Sequence, residues 1–113
     1  MTYIKINDTM YPAAISGNRK DGQWDGRESK TITLEMDYAT ALALFVDGLL
    51  WSIVMDVEKA HDDGSVTTEQ EEYDNSEYDM AGSITDHRDG TLSVKMGKPT
   101  AEELLAVITG EVQ

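Results

Sequence analysis

The stretch KTITLEMDYATALALFVDGLLWSIVMDV, residues 30–57, reads as a strand, a helix and a second strand in direct succession. Polar and apolar side chains alternate over residues 30–36, which is typical of a strand with one buried face. Asp37 is a favourable N-cap, and the Ala- and Leu-rich segment after it predicts a helix with Gly48 at its C′ position. Residues 49–57 are apolar and β-branched, which predicts a central strand covered on both faces. The order fits a βαβ unit or a split arrangement.

The same stretch predicts where the core lies. One stripe of the helix holds Tyr38, Leu42, Phe45 and Val46, so we expect the helix to pack by that face. Trp51 lies inside the apolar strand that follows, and a tryptophan there is most simply a core residue.

The flanking segments predict two hairpins. Residues 2–7 and 10–16 form the first, because the Asn and Asp between them suit a tight turn. Residues 78–86 and 90–96 form the second, in which Gly90 takes the left-handed conformation.

A helix is predicted at the end of the sequence. Thr100 and Glu103 have the spacing of a capping box, and Gly110 terminates the helix. Its apolar side chains lie along one side: Leu104, Val107 and Ile108.

The charge of the chain is concentrated in one segment. The 113 residues carry 9 basic and 22 acidic side chains, a net charge of −13. Between residues 56 and 79 lies one base, Lys59, among a group of acids: Asp56, Glu58, Asp62, Asp63, Glu69, Glu71, Glu72, Asp74, Glu77 and Asp79. Few aliphatic residues and no usable period occur there, which predicts a mobile acidic loop over about 58–76 that can include a short helix around 68–73.

Together these elements predict a single α+β domain over residues 1–113. We expect a mostly antiparallel sheet of about five to six strands with two helices. No basic-then-apolar signal segment is recognisable, and no apolar run approaches the ~18 residues of a membrane span. The net negative charge argues against nucleic-acid binding, and the absence of cysteine excludes disulfides and thiolate metal sites.

The residues that carry chemistry do not form a catalytic or metal-binding pattern. Placing Gly64 or Gly90 at position 6 of an EF-hand leaves its other positions without the required acids. His61 and His87 lie in predicted turns, and no Gly-rich phosphate loop is present. We therefore predict no enzyme, no cofactor, no metal and no small-molecule substrate, with weak binding of Ca²⁺ or Mg²⁺ by the acidic loop and a hydrolase-like or metal-dependent enzyme as alternatives.

Four residues are candidates for contact with a protein partner: Trp24, Arg27, Tyr73 and Tyr78. Trp24 either folds back on the sheet, with its indole N–H bonded to a carbonyl, or stands exposed as an anchor. Arg27 faces away from its neighbour Glu28 and is expected to pair with an acid elsewhere, such as Asp25 or the acidic loop. The two tyrosines either contact a partner or pack at a strand start.

Two segments resemble a group of small proteins encoded near tail genes in phage and prophage regions of Firmicutes-type bacteria: WDGRESKTITLEMDYATALALFVDGLLWSI and EEYDNSEYDMAGSITDHRDGTLSVKMGKPTAEE. The resemblance covers residues 3–57 and 71–105. It implies a structural or assembly protein of a tail or baseplate, located in the bacterial cytoplasm or the virion, that associates with itself or with other phage structural proteins. The alternative prediction is a small acidic inhibitor that mimics DNA and binds a basic host partner. Neither prediction includes a membrane.

Overall fold

The scaffold is one antiparallel sheet of seven strands, seen in a computed structural model that describes residues 1–100, 102 and 103. Along the sheet the strands follow the order β5-β4-β1-β2-β3-β7-β6. The elements, in chain order, are β1 (Thr2–Ile6), β2 (Thr9–Asp21), β3 (Arg27–Glu35), α1 (Tyr38–Leu44), β4 (Ser52–Ala60), β5 (Val66–Asp74), β6 (Met80–Asp86) and β7 (Thr91–Gly97). The α+β prediction is therefore right only in outline: the described residues form a mostly-β structure with seven strands instead of five to six and one complete helix instead of two.

Strand β2 joins the two halves of the sheet. Its first part, from Thr9 to Pro12, pairs with β1, and the part from Ala13 onward pairs with β3. Because both halves share this strand, their inner faces contribute to one core. That core contains Ile4, Ile6, Ile32, Leu34, Ala41, Phe45, Trp51, Ile53, Tyr78, Leu92, Val94 and Met96.

Helix α1 begins as predicted, and the Thr40 backbone N–H donates to the Asp37 carboxylate at 2.9 Å. Its packing face was predicted wrongly, because Ala41 and Phe45 are buried while the other members of the predicted stripe are exposed: Tyr38, Leu42 and Val46. The helix has only seven residues, too few for the sequence to distinguish the apolar side that packs from the one that does not. It ends at Leu44, so Gly48 lies beyond the C′ position.

Strand β4 does not form a βαβ unit with β3. The two strands run antiparallel and are separated in the sheet by β1 and β2. Ile53 and Val54 are both buried, so the start of β4 is covered on both faces as predicted, whereas Met55 is exposed. Trp51, just before the strand, is a core residue as predicted.

The predicted acidic loop is instead half of a regular hairpin. Strands β4 and β5 pair without a register shift from Ser52↔Asp74 to Ala60↔Val66, which leaves no helix at 68–73. The prediction failed because both faces of β5 are exposed to solvent, so its sequence shows no alternation of apolar and polar side chains. Its backbone nevertheless forms the ladder with β4.

The last described segment contains the second hairpin and the start of a helix. Strands β6 and β7 pair around Gly90, which has a φ of +93°, as predicted. Glu103 N–H donates to Thr100 Oγ1 at 3.2 Å and Thr100 N–H donates to Glu103 Oε1 at 2.8 Å, which confirms the capping box. The rest of that predicted helix lies outside the described residues. Among the described helical residues, no segment is long and apolar enough to cross a membrane.

Candidate functional site

A tight turn between β2 and β3 carries the first candidate, Trp24. The backbone N–H groups of Trp24 and Gly26 both donate to the Asp21 carbonyl, at 3.0 and 2.8 Å. Asp25 and Gly26 have φ of +58° and +72°, a conformation that Asp tolerates and Gly adopts freely. The turn therefore folds the tryptophan back over the sheet.

The Trp24 ring lies against two glycines of the neighbouring strands, Gly82 and Gly97. A Cβ atom on Gly82 or on Gly97 would come within 2.8 Å of the Trp24 ring, so only glycine leaves room for it. The predicted folding back is what the structure has, although no hydrogen bond of the indole N–H to a carbonyl occurs among the described residues. Trp24 is half-buried, and its outer surface alone could reach a partner.

Arg27 is the buried centre of a polar cluster beneath Trp24. Its guanidinium lies 4.9 Å from the Trp24 ring and holds Glu103 with two hydrogen bonds, at 2.7 and 3.2 Å. It also donates to the Lys98 carbonyl at 3.0 Å and lies 3.7 Å from the Asp25 carboxylate. The expected pairing with Asp25 exists, but the main partner is Glu103 rather than any acid of the 58–76 segment.

The Arg27 cluster holds the segment that follows β7 against the sheet. Hydrogen bonding to Arg27 lowers the pKa of the Glu103 carboxyl to about 2, because the guanidinium stabilises its charged form. The Arg27 side chain is only 3% exposed, and its Nε–H has no hydrogen-bond partner among the described residues. Its contacts are therefore internal, so the prediction that Arg27 itself touches a partner does not fit its burial.

Tyr78 is also internal. It is 4% exposed, donates its hydroxyl to Glu28 at 2.6 Å, and has the ammonium groups of Lys30 and Lys98 at 4.6 and 4.9 Å from its ring. Burial and the Glu28 hydrogen bond raise the pKa of its hydroxyl. Two roles were predicted for Tyr78, and its burial fits packing at a strand start rather than contact with a partner. Glu28 contacts Tyr78 while Arg27 contacts Glu103, so these neighbours have different partners and do not pair with each other, as predicted.

Both histidines have a hydroxyl within hydrogen-bond distance. His61 Nε2 lies 2.8 Å from Thr67 Oγ1, and His87 Nε2 lies 2.8 Å from Ser93 Oγ. Both imidazoles are exposed at hairpin ends, and within the described residues no carboxylate hydrogen-bonds either ring. These pairs have the base–hydroxyl spacing of a nucleophilic site without a third group that orients the base.

No group of three metal-ligating side chains of the His, Cys, Asp and Glu types lies together within residues 1–100, 102 and 103. The carboxylates of the acidic segment instead pair with nearby cations and backbone groups, such as Lys59 with Glu69 at 2.9 Å. Weak binding of Ca²⁺ or Mg²⁺ stays a prediction.

The far part of the β4–β5 hairpin projects beyond the rest of the sheet. Strand β1 pairs with β4 as far as Thr2↔Met55, and the Asp56 N–H donates to the Met1 carbonyl at 3.0 Å. Beyond that point β4 pairs with β5 alone among the described strands. Residues 57–69, here called the arm, therefore form a two-stranded ribbon about 15 Å long with both of its edges open.

The hydrogen bonds of the hairpin determine which β5 amides face outward. The His61 N–H donates to the Ser65 carbonyl and the Asn75 N–H donates to the Trp51 carbonyl, so these two pairs are hydrogen-bonded pairs of the ladder. Since hydrogen-bonded and non-hydrogen-bonded pairs alternate along an antiparallel ladder, every second β5 residue directs its N–H and C=O away from β4. Those residues are Val66, Thr68, Gln70, Glu72 and Asp74.

The outward edge of β5 is acidic and exposed. Glu69 and Glu71 lie on one face of the strand, Glu72 and Asp74 lie on the other, and β5 contains no base. Tyr73, the last predicted contact residue, lies on the same strand and is half-exposed, with its hydroxyl hydrogen-bonded to Glu71. Of the four predicted contact residues, Tyr73 is therefore the most accessible.

Comparison with known proteins does not place the chain in a family. No family model, curated protein or solved structure matches it. The resemblance to phage and prophage proteins stays a prediction, and the functional interpretation depends on the surfaces of the molecule itself.

Sequence reasoning missed the β5 edge and the partner of Arg27. Val66, Thr67, Thr68 and Tyr73 are strong strand formers and were a usable signal for β5. Glu103 was recognised as a capping residue only, and no local signal connects it to Arg27, which lies 76 positions away.

Proposed function

We propose that this chain is a non-enzymatic structural or assembly protein that acts through protein–protein contacts, of the phage-associated kind that the sequence resemblance implies. The observation that supports it best is the projecting arm together with the open β5 edge. An unpaired regular strand offers backbone hydrogen bonds to another chain, which is a common way for proteins to associate.

The two aromatic–cation clusters support the proposal indirectly. Arg27 and Tyr78 are buried and Trp24 is half-buried over Arg27, so their contacts stabilise the sheet and leave the β4–β5 hairpin as the more accessible recognition element. A rigid sheet that carries one projecting ribbon suits a part that docks on a larger assembly, because little order is lost on binding.

A shortened arm tests this proposal. Replacing residues 58–68 with Asn-Gly keeps the hydrogen-bonded pair Val57↔Glu69 as the last pair before a two-residue turn. We expect bacteria that make phage particles with this variant to yield fewer complete particles by electron microscopy, at an unchanged level of folded protein. An unchanged yield of complete particles would contradict the proposal.

A second function is favoured by one observation. A protein that mimics DNA needs its carboxylates on an ordered scaffold, and the acids of β4 and β5 lie on strands rather than on a loop. We therefore keep a small acidic inhibitor of a basic host protein as the alternative. In that case duplex DNA would compete with the chain for the same partner, and a partner that binds both at once would exclude it.

A further inference from the structure

We propose that the outer edge of β5 binds an extended, Lys- and Arg-rich segment of another protein, which adds to the sheet as an eighth strand. This inference rests on the proposed function, because it names the partner of the same surface. The backbone supplies the affinity: five outward-facing residues at alternate positions, from Val66 to Asp74, offer N–H and C=O groups that no described residue uses.

The charge of β5 determines which strand can pair there. An incoming strand lies about 5 Å from β5, so its side chains face those of Glu69, Glu71, Glu72 and Asp74 directly. Cations already reach this region from the inner side, where Lys59 contacts Glu69 at 2.9 Å and Lys5 contacts Glu72 at 3.2 Å. The outer side has no such cation among the described residues, and opposite charges across strands are favourable.

A second copy of the chain fits this edge poorly. Pairing β5 with itself brings four carboxylates of each strand together with no base on either, and like charges that face each other destabilise a sheet. Pairing β5 with β6 of another copy meets an obstructed edge, because Asp47 already accepts the Ala81 N–H at 2.8 Å and the strand is bulged between Ala81 and Ile84. These two pairings are therefore unfavourable, and we take the occupant to be a different protein, whose basic side chains complement the acids of β5.

The positions of the four acids specify the pattern of the partner. In an antiparallel register the incoming strand meets Asp74 first and then Tyr73, Glu72, Glu71, Gln70 and Glu69. Basic residues at positions 1, 3, 4 and 6, with an apolar or β-branched residue at position 2, therefore match β5. Tyr73 contributes an aromatic cross-strand contact to that apolar residue.

Peptides test this inference on the intact chain. The matched probe is acetyl-KVKKTKTTV-amide, and its control has the same sequence with the amides of its pairing edge N-methylated, which keeps the charge and removes the ladder. We expect the matched peptide to bind at least about tenfold more tightly than the control and to slow exchange of the outward β5 amides. Equal binding of both peptides, or protection elsewhere, would overturn the inference.

Two variants separate the backbone from the charge. Gln70→Pro removes one outward N–H and leaves the β4 ladder intact, because Gln70 is at a non-hydrogen-bonded position, and Gln70→Ala is its matched control. The charge variant combines Glu69→Gln, Glu71→Gln, Glu72→Gln and Asp74→Asn. We expect Gln70→Pro and the charge variant each to lower the affinity for the matched peptide at least about tenfold. Gln70→Ala should change that affinity by less than about twofold. Unchanged binding by either of the first two would contradict the inference.

The outcome also separates this inference from the proposed function. If shortening the arm reduces particle yield while the matched peptide fails to protect β5, the chain acts in assembly through another part of the hairpin. If the peptide protects β5 while particle yield is unaffected, the edge binds basic strands and the assembly role is wrong.

Discussion

The two edges of the sheet are closed to different degrees. At β6 the strand is bulged, the Asp47 carboxylate accepts the Ala81 N–H, and the Trp24 ring lies against Gly82. At β5 the strand runs for nine residues without a bulge, and its outward amides have no partner among the described residues. Both edges belong to one sheet of one small chain.

The difference shows that one edge is closed by structure and the other by charge. Bulges and covering groups prevent pairing with any strand, whereas acidic side chains prevent pairing only with strands of like charge. On the inference above, the β5 edge accepts basic strands and rejects acidic ones. At β6 the bulge and Asp47 occupy the edge, while Trp24 lies against Gly82 of the same strand.

The largest loss of stability is expected from Gly97→Ala, which disturbs the packing near the β6 edge. The added Cβ would lie 2.8 Å from both the Trp24 ring and the Arg27 side chain, so the cover over β6 and β7 must shift. We expect a loss of about 2–3 kcal/mol in the free energy of unfolding, measured with urea. Gly17→Ala is the control, since nothing lies within 4 Å of its Cβ, and it should change stability by less than about 0.5 kcal/mol. Equal effects at both glycines would show that Trp24 does not pack as described.

The Arg27–Glu103 pair should make stability depend on pH. Pairing lowers the pKa of Glu103 from 4.5 to about 2, so its contribution is complete above pH 4.5 and is lost as pH falls through about 2. Since the Glu103 side chain is 43% exposed, solvent screening limits that contribution to about 1 kcal/mol.

The measurement compares the intact chain with Glu103→Gln by urea unfolding at a series of pH values. The stability advantage of the intact chain should be largest near neutral pH and disappear between pH 4.5 and 2. Other carboxylates with lowered pKa, such as Asp21, are common to both chains and cancel in the difference. A difference that does not vary with pH would contradict the pairing.

Removing the Asp47 carboxylate, which occupies the β6 edge, should lower the free energy of unfolding by as much as loss of the Arg27–Glu103 pair or less. Asp47→Ala leaves the Ala81 N–H without its acceptor, and we expect a loss of about 1 kcal/mol together with faster exchange of that amide. The control is Asp62→Ala, at an exposed position in the arm. If the Ala81 amide exchanges equally fast in the intact chain, the edge is not closed by Asp47.

The smallest effect on stability is expected from shortening the arm, although this change removes the most residues. Replacing residues 58–68 with Asn-Gly deletes exposed side chains and the end of one ladder, so the free energy of unfolding should change by less than about 0.5 kcal/mol. Thermal unfolding followed by circular dichroism measures this. A loss of several kcal/mol would mean that the arm supports the core and is not a separate recognition element.

Elements with local signals were predictable from the sequence. The alternation in β3, the Asp37 cap, the turn at Gly90 and the capping box of Thr100 and Glu103 depend on neighbours a few residues away. Strand β5 was missed because an exposed strand has no buried face, and hydrophobic alternation reports burial rather than backbone pairing. The face of α1 was missed because a two-turn helix has too few residues to distinguish Ala41 and Phe45 from the larger stripe beside them.

The candidate site was predictable in part for the same reason. Trp24 and Arg27 stood out by their types, but their roles depend on Gly82, Gly97 and Glu103, which are remote in sequence. The sequence shows the acids of β5 as a charge cluster. Only the pairing of β5 with β4 places those acids along an exposed strand edge.

Amide hydrogen exchange on the isolated chain, measured by NMR over a range of protein concentrations, tests the difference between the two edges most directly. We predict fast exchange at Val66, Thr68, Gln70, Glu72 and Asp74, slow exchange at the intervening β5 residues that bond to β4, and slow exchange at Ala81. The alternation on β5 should not change with protein concentration, because the like charges prevent self-pairing. Slow exchange at the five outward amides would contradict an unpaired β5 edge. Protection that grows with protein concentration would contradict the claim that like charges prevent self-pairing.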